Sequence, residues 1–86
     1  MTIKLYTGPA CTACSKLKKR LNSLEITPER FEEADVNEPK HREAVVALGF
    51  RGIPLLVKFD EETGKAVKTL MGASYPDKKY KEFFAQ

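Results

Sequence analysis

The stretch GPACTAC, residues 8–14, holds Cys11 and Cys14, the two cysteines of the chain. Ahead of it, Thr2 to Thr7 alternates Ile3 and Leu5 with Lys4 and Tyr6, the period-two pattern of a strand. Gly8 and Pro9 break that pattern. Behind it, from Thr12 to about Leu24, the apolar residues Cys14, Leu17, Leu21 and Leu24 recur at spacings of three, four and three. That is one face of a helix, with the basic residues mostly off it. The two cysteines therefore stand at a strand-to-helix junction.

A Cys-x-x-Cys pair at such a junction is a redox signature with a physical cause. Cys11 falls at the helix start, where free N–H groups and the positive end of the helix dipole favour a thiolate. Sites of this kind lower a cysteine pKa from about 8.5 to roughly 3.5–7.5. Cys14 lies one turn on and continues the leucine stripe, so it is expected to be the more buried sulfur. The asymmetry assigns Cys11 as nucleophile and Cys14 as resolver in thiol–disulfide exchange.

Other readings of the pair stay open. A structural disulfide closing so short a loop would stabilise little, and a cytosolic protein would keep it reduced. Zinc wants four ligands, and His41 is the one histidine to join the two cysteines. It sits among Lys40, Arg42 and Glu43 and reads as a surface residue, so no metal site is expected. An iron–sulfur cluster shared between two chains would need cysteines from each.

The rest of the chain supplies a frame. Phe31 to Val36 is a weak strand, because Glu32, Glu33 and Asp35 leave few apolar positions. A second helix has Asn37 as N-cap, Pro39 in its first turn, Ala44, Val45 and Leu48 on its face, and Gly49 at its end. Pro54 to Phe59 reads as a strand, Asp60 to Lys65 as a turn, and Ala66 to Met71 as the antiparallel partner. Gly72 stops that strand. Ser74, Pro76 and Asp77 open a last helix carrying Tyr80, Phe83 and Phe84. The order β-α-β-α-β-β-α predicts an α/β fold, a four-stranded mixed sheet flanked by three helices.

Bulk properties bound the function. Eighty-six residues make one small domain, residues 1–86. A composition of 42% hydrophobic and 31% charged residues is that of a globular chain rather than a disordered one. No apolar run approaches the ~20 residues that span a membrane, and no secretion signal is visible, so a cytoplasmic protein is expected. A net charge of +3 does not argue nucleic-acid binding. Its basic run, Lys16, Lys18, Lys19 and Arg20, reads as a solvated helix face, the alternative being a redox-inert module docking an acidic partner.

Three segments carry a family resemblance: IKLYTGPACTAC (residues 3–14), GIPLLVKF (52–59) and LMGASYPDKKYKEFF (70–84). Together they resemble the thioredoxin fold, and within it the glutaredoxins. The resemblance implies a cis peptide bond at Pro54 beside the cysteines, leaving the Ile53 backbone free to pair with an extended substrate. A trans proline opening an edge strand is the alternative. Ile53, Pro54 and Gly72 would shape a groove, Tyr6, Thr7 and Pro9 would line its approach, and Thr12 and Ala13 would face substrate between the cysteines.

Departures from the family are informative. Glutaredoxins typically place Pro-Tyr where this chain has Thr12-Ala13, and usually a lysine where it has Gly8. Many carry a double glycine and then acidic residues that grip the glutathione amine; here the stretch is Gly72-Ala73-Ser74, with Asp77 nearby. The C-terminal GASYPDKKYKEFF (72–84) is similar instead to redoxins that serve ribonucleotide reductase and draw electrons from thioredoxin reductase, although their arginine before the proline is Tyr75 here. The resemblance thus implies a monomeric protein-disulfide reductase with no bound cofactor. Ribonucleotide reductase is the leading substrate, and thioredoxin reductase with NADPH is favoured over glutathione. A glutathione-dependent glutaredoxin, or a carrier of a cluster between two chains, is the alternative.

Overall fold

The computed structural model describes residues 1–85. Its elements are β1 (Thr2–Thr7), α1 (Thr12–Ser23), β2 (Glu32–Asp35), α2 (Pro39–Ala47), β3 (Leu55–Phe59), β4 (Ala66–Met71) and α3 (Asp77–Phe84). Between α1 and β2 lies a short 3-10 turn, Pro28–Arg30, where the sequence signalled only a stop; Pro28 takes its first position, where a missing N–H costs nothing. The strands form one sheet in the order β2-β1-β3-β4. β1 and β2 are parallel, with Tyr6 opposite Ala34, while β3 runs antiparallel to both β1 and β4. This is the mixed sheet expected of the thioredoxin fold.

Helices cover both faces of that sheet. Leu17 and Leu21 of α1 and Tyr80, Phe83 and Phe84 of α3 pack on Ile3, Leu5, Leu56 and Leu70. On the other face, Val45 of α2 packs with Tyr6, Ala34, Leu55 and Val57. Two-sided burial explains why Leu55-Leu56-Val57 runs without polar alternation. It also puts Tyr6, which the alternation sets with Lys4 on the face opposite Ile3 and Leu5, into the core. β2 is an edge strand, and its acidic residues serve there: Glu32, Glu33 and Asp35 stay exposed while Ala34 alone is buried.

The second helix starts one residue later than expected. The Asp35 carboxylate accepts the Asn37 N–H at 2.8 Å, a local turn that takes Asn37 out of the cap. Glu38 is the N-cap and Pro39 the first helical residue.

A buried charge sits on the α3 side of the sheet. Lys58 is 7% exposed; its ammonium lies 5.0 Å from the Phe83 ring centre and donates to the Ala85 carbonyl at 3.4 Å. Burial, and then Lys68 directly opposite on β4, pull the Lys58 pKa below its usual 10.5. The unfolded chain therefore holds more protons in the window beneath 10.5, so this group makes stability rise with pH there. Tyr6 and Tyr80 act oppositely: burial raises both phenols above 10.0, and their contribution falls away at higher pH. Lys58→Met is expected to stabilise the protein most at neutral pH, with the gain shrinking towards about pH 10. Denaturant midpoints of the two proteins across that range check this; a pH-independent difference would contradict it.

Candidate active site

Between β1 and α1 the chain must turn so that the first helical N–H groups face a side chain. Ala10 makes that turn in the left-handed region, with φ 55°, a conformation that costs a non-glycine residue roughly 1–2 kcal/mol. Such strain persists where surrounding structure fixes a functional geometry. Cys11 follows as the N-cap of α1, and its Sγ accepts the Cys14 N–H at 3.1 Å. The first turn carries no acidic residue, so no carboxylate competes for the dipole. Cys11 is half-buried and Cys14 is 2% exposed, the asymmetry expected from the leucine stripe. The two are joined as a disulfide, with Cα atoms 5.2 Å apart.

Gly8 and Ile53 fit each other. A Cβ at Gly8 would fall 2.9 Å from Ile53 Cδ1 and 3.4 Å from Val36 Cγ2, so a side chain there requires the Ile53 terminal methyl to shift. Apolar carbon fills the place where the family's lysine would start. The Ile53-Pro54 bond is cis, as the resemblance implied. Among the described residues, the Ile53 amide and carbonyl take no backbone hydrogen bond, whereas the Pro54 carbonyl accepts the Gly72 N–H at 2.8 Å. Gly72 has φ 98°, a value that glycine adopts without strain.

The remaining expected site residues divide by exposure. Pro9 and Thr12 are exposed and Ala13 partly so, all in the segment that carries the cysteines. Tyr6 and Thr7 are only 1% and 4% exposed, so, contrary to expectation, neither lines an open approach to the cysteines. The Tyr6 ring meets the His41 ring edge-on at 6.1 Å, which makes His41 a packed residue rather than a free surface one. Thr7 donates to Glu33 at 2.9 Å, and Glu33 also receives Lys18 at 3.0 Å, tying α1 to the sheet edge. Among the described residues no group of three His, Cys, Asp or Glu side chains could hold a metal ion.

The basic run on α1 is partly used within the chain. Lys18 meets Glu33, and Arg20 reaches Asp77 at 2.8 Å, while Lys16 and Lys19 stay exposed. Asp77, the one acid near Gly72-Ala73-Ser74, thus already has a cation. Nothing in the sequence marks Arg20, Ala10 or Tyr80 for the contacts or backbone geometry they have here. A positive-φ alanine has no sequence signature, and an arginine within a basic run reads as solvent-facing.

Residues 3–62, which span the cysteine pair, the Ile53-Pro54 bond and β3, match the Glutaredoxin family. The chain belongs to the glutaredoxin family. Two glutaredoxin-like NrdH proteins, from Lactococcus lactis subsp. lactis (strain IL1403) and subsp. cremoris (strain MG1363), are each 34% identical over 59 residues. Those residues cover 67% of this chain and 78% of each relative. Among solved structures, the glutaredoxin-like NrdH-redoxin of Escherichia coli superposes with a TM-score of 0.71 at 24% identity, over 95% of this chain and 93% of that one. A thioredoxin from Thermus thermophilus gives 0.75 at 15% identity, over 96% and 69%. The glutaredoxins of this kind are thiol–disulfide oxidoreductases, and this glutaredoxin keeps their Cys-x-x-Cys pair at the helix start. Among its described residues, no helix is long and apolar enough to cross a membrane.

Proposed function

We propose that this glutaredoxin reduces protein disulfides, with ribonucleotide reductase as its substrate and thioredoxin reductase rather than glutathione as its source of electrons. The Cys11 thiolate attacks one sulfur of the substrate disulfide; a mixed disulfide forms and the other substrate sulfur leaves as a thiolate. Cys14, deprotonated, attacks Cys11, releases the second substrate thiol and closes the internal disulfide. Two electrons from an external reductant reopen it. Pro9, Thr12, Ala13, Ile53 and Gly72 form the rim that receives substrate, Pro54 itself being fully buried, and the unpaired Ile53 backbone offers an edge for strand addition. The protein acts as a monomer.

The observation that carries the choice of reductant is that position 8 is a glycine and that Asp77 is already paired with Arg20. Glutathione presents two carboxylates and an amine, which demand opposite charges at fixed places. Glycine at position 8, with Ile53 packed beside it, supplies no cation, and Arg20 engages Asp77. The Escherichia coli NrdH-redoxin, a glutaredoxin-like protein with a thioredoxin-like activity profile, is a fitting precedent. Coupled assays of NADPH consumption test the reading, one with thioredoxin reductase and one with glutathione plus glutathione reductase. At least about tenfold faster turnover with thioredoxin reductase is expected, a difference of roughly 1.4 kcal/mol in transition-state binding. Faster turnover with glutathione would overturn the assignment.

A further inference from the structure

We infer that Arg20 and Tyr80 are positioning residues that latch the segment from Gly72 to Pro76 against Pro54 and so pre-form one wall of the substrate groove. The inference rests on the reading of Ile53, Pro54 and Gly72 as that groove. The segment joins β4 to α3 and has no secondary structure of its own, so its polar backbone needs partners from elsewhere. Two side chains supply them.

Tyr80, fully buried on α3, donates its hydroxyl to the Gly72 carbonyl at 3.0 Å and accepts the Tyr75 N–H at 3.4 Å. Arg20, on α1, donates Nη1 to the Ala73 carbonyl at 3.0 Å and Nε to the Asp77 carboxylate at 2.8 Å. Its guanidinium lies 5.2 Å from the centre of the Tyr80 ring, so the two groups brace each other. The Gly72 N–H is thereby aimed at the Pro54 carbonyl, 2.8 Å away. Burial raises the Tyr80 phenol above its usual 10.0, which keeps it a donor at neutral pH.

One hydroxyl therefore bonds both sides of the segment, while one guanidinium ties it to the helix that carries the cysteines. Neither group belongs to the reacting cysteine pair. Loosening them leaves the sulfur chemistry intact but makes the groove wall mobile, and an extended substrate must then order it on binding. A small disulfide that reaches only the sulfurs has no such cost.

The test uses dithiothreitol as reductant, so that it does not depend on the identity of the natural one. For Tyr80→Phe and for Arg20→Met, KM for a disulfide-bonded extended peptide is expected to rise about five- to tenfold. With hydroxyethyl disulfide, kcat should stay within about twofold, and the pH profile of Cys11 alkylation should not move. The double variant should lose less than the product of the single losses, because the groups share one segment. Unchanged peptide KM in the folded variants, or equal losses on both substrates, would overturn the latch; if Tyr80→Phe does not fold, Arg20→Met decides alone. A peptide N-methylated beside its cysteines separates the underlying reading. Wild-type KM indifferent to N-methylation would remove the groove and the latch with it. Wild-type KM raised by N-methylation, with both variants matching wild type on the unmethylated peptide, would remove the latch alone.

Discussion

Cys11→Ser is expected to abolish disulfide reduction, by roughly a thousandfold or more, whereas Cys14→Ser is expected to stall after one step. The difference follows from where the sulfurs sit. Cys11 is the N-cap, half-buried, and held by the Cys14 N–H; a serine there can still cap the helix, since Ser is a favoured cap residue. The fold should therefore survive while the nucleophile is lost, because a hydroxyl neither ionises at this pH nor forms a disulfide. Cys14 is 2% exposed and meets Cys11 from within the chain, so it serves the intramolecular second step. With serine at 14, attack by Cys11 proceeds and the mixed disulfide accumulates, one substrate per chain, to be released by added thiol. Mass spectrometry before and after dithiothreitol reads this directly. Turnover by Cys11→Ser, or a mixed disulfide trapped on Cys14 of Cys11→Ser with none on Cys11 of Cys14→Ser, would overturn the assignment.

How much of this was legible in the sequence depends on how local each cause is. The cysteine asymmetry was legible, because Cys14 continues the stripe of Leu17 and Leu21 and the cap position follows from the strand-to-helix junction. The order of elements was legible for the same reason, as hydrophobic period and glycine or proline breaks are read within a few residues. Tyr6 was misplaced because its burial depends on α2 arriving over the second face of the sheet, which the strand's own pattern does not encode. Asn37 lost the cap to a competition between neighbouring side chains, decided by the Asp35 carboxylate. The role of Gly8 changed in kind. From sequence it was a missing cation; in the fold it is also the space that Ile53 occupies. Arg20 was hidden most deeply, because the carbonyl it binds is 53 residues away.

The rim is held by side chains whose own anchoring lies in α3, so the packing of that helix is a functional matter as well as a structural one. Phe83→Ala measures it. Phe83 is 2% exposed, its ring centre 5.7 Å from that of Phe84 in an edge-on pair and 5.0 Å from the Lys58 ammonium. Truncating a buried phenylalanine costs about 3–5 kcal/mol, partly in lost transfer energy and partly in the cavity left behind. A chain of this size is stable by only about 4–13 kcal/mol in all. The melting temperature is therefore expected to fall by more than about 12 °C, with the denaturant m-value unchanged. The deleted ring also uncovers Lys58, which then faces a void with less to offset its desolvation. Adding Lys58→Met should recover more stability in the Phe83→Ala background than in wild type, a coupling that independent sites would not show. Because Tyr80 shares α3 with Phe83, the temperature at which peptide KM begins to rise should fall with it. A loss of stability under about 1 kcal/mol would mean that α3 is not packed on the sheet through this ring.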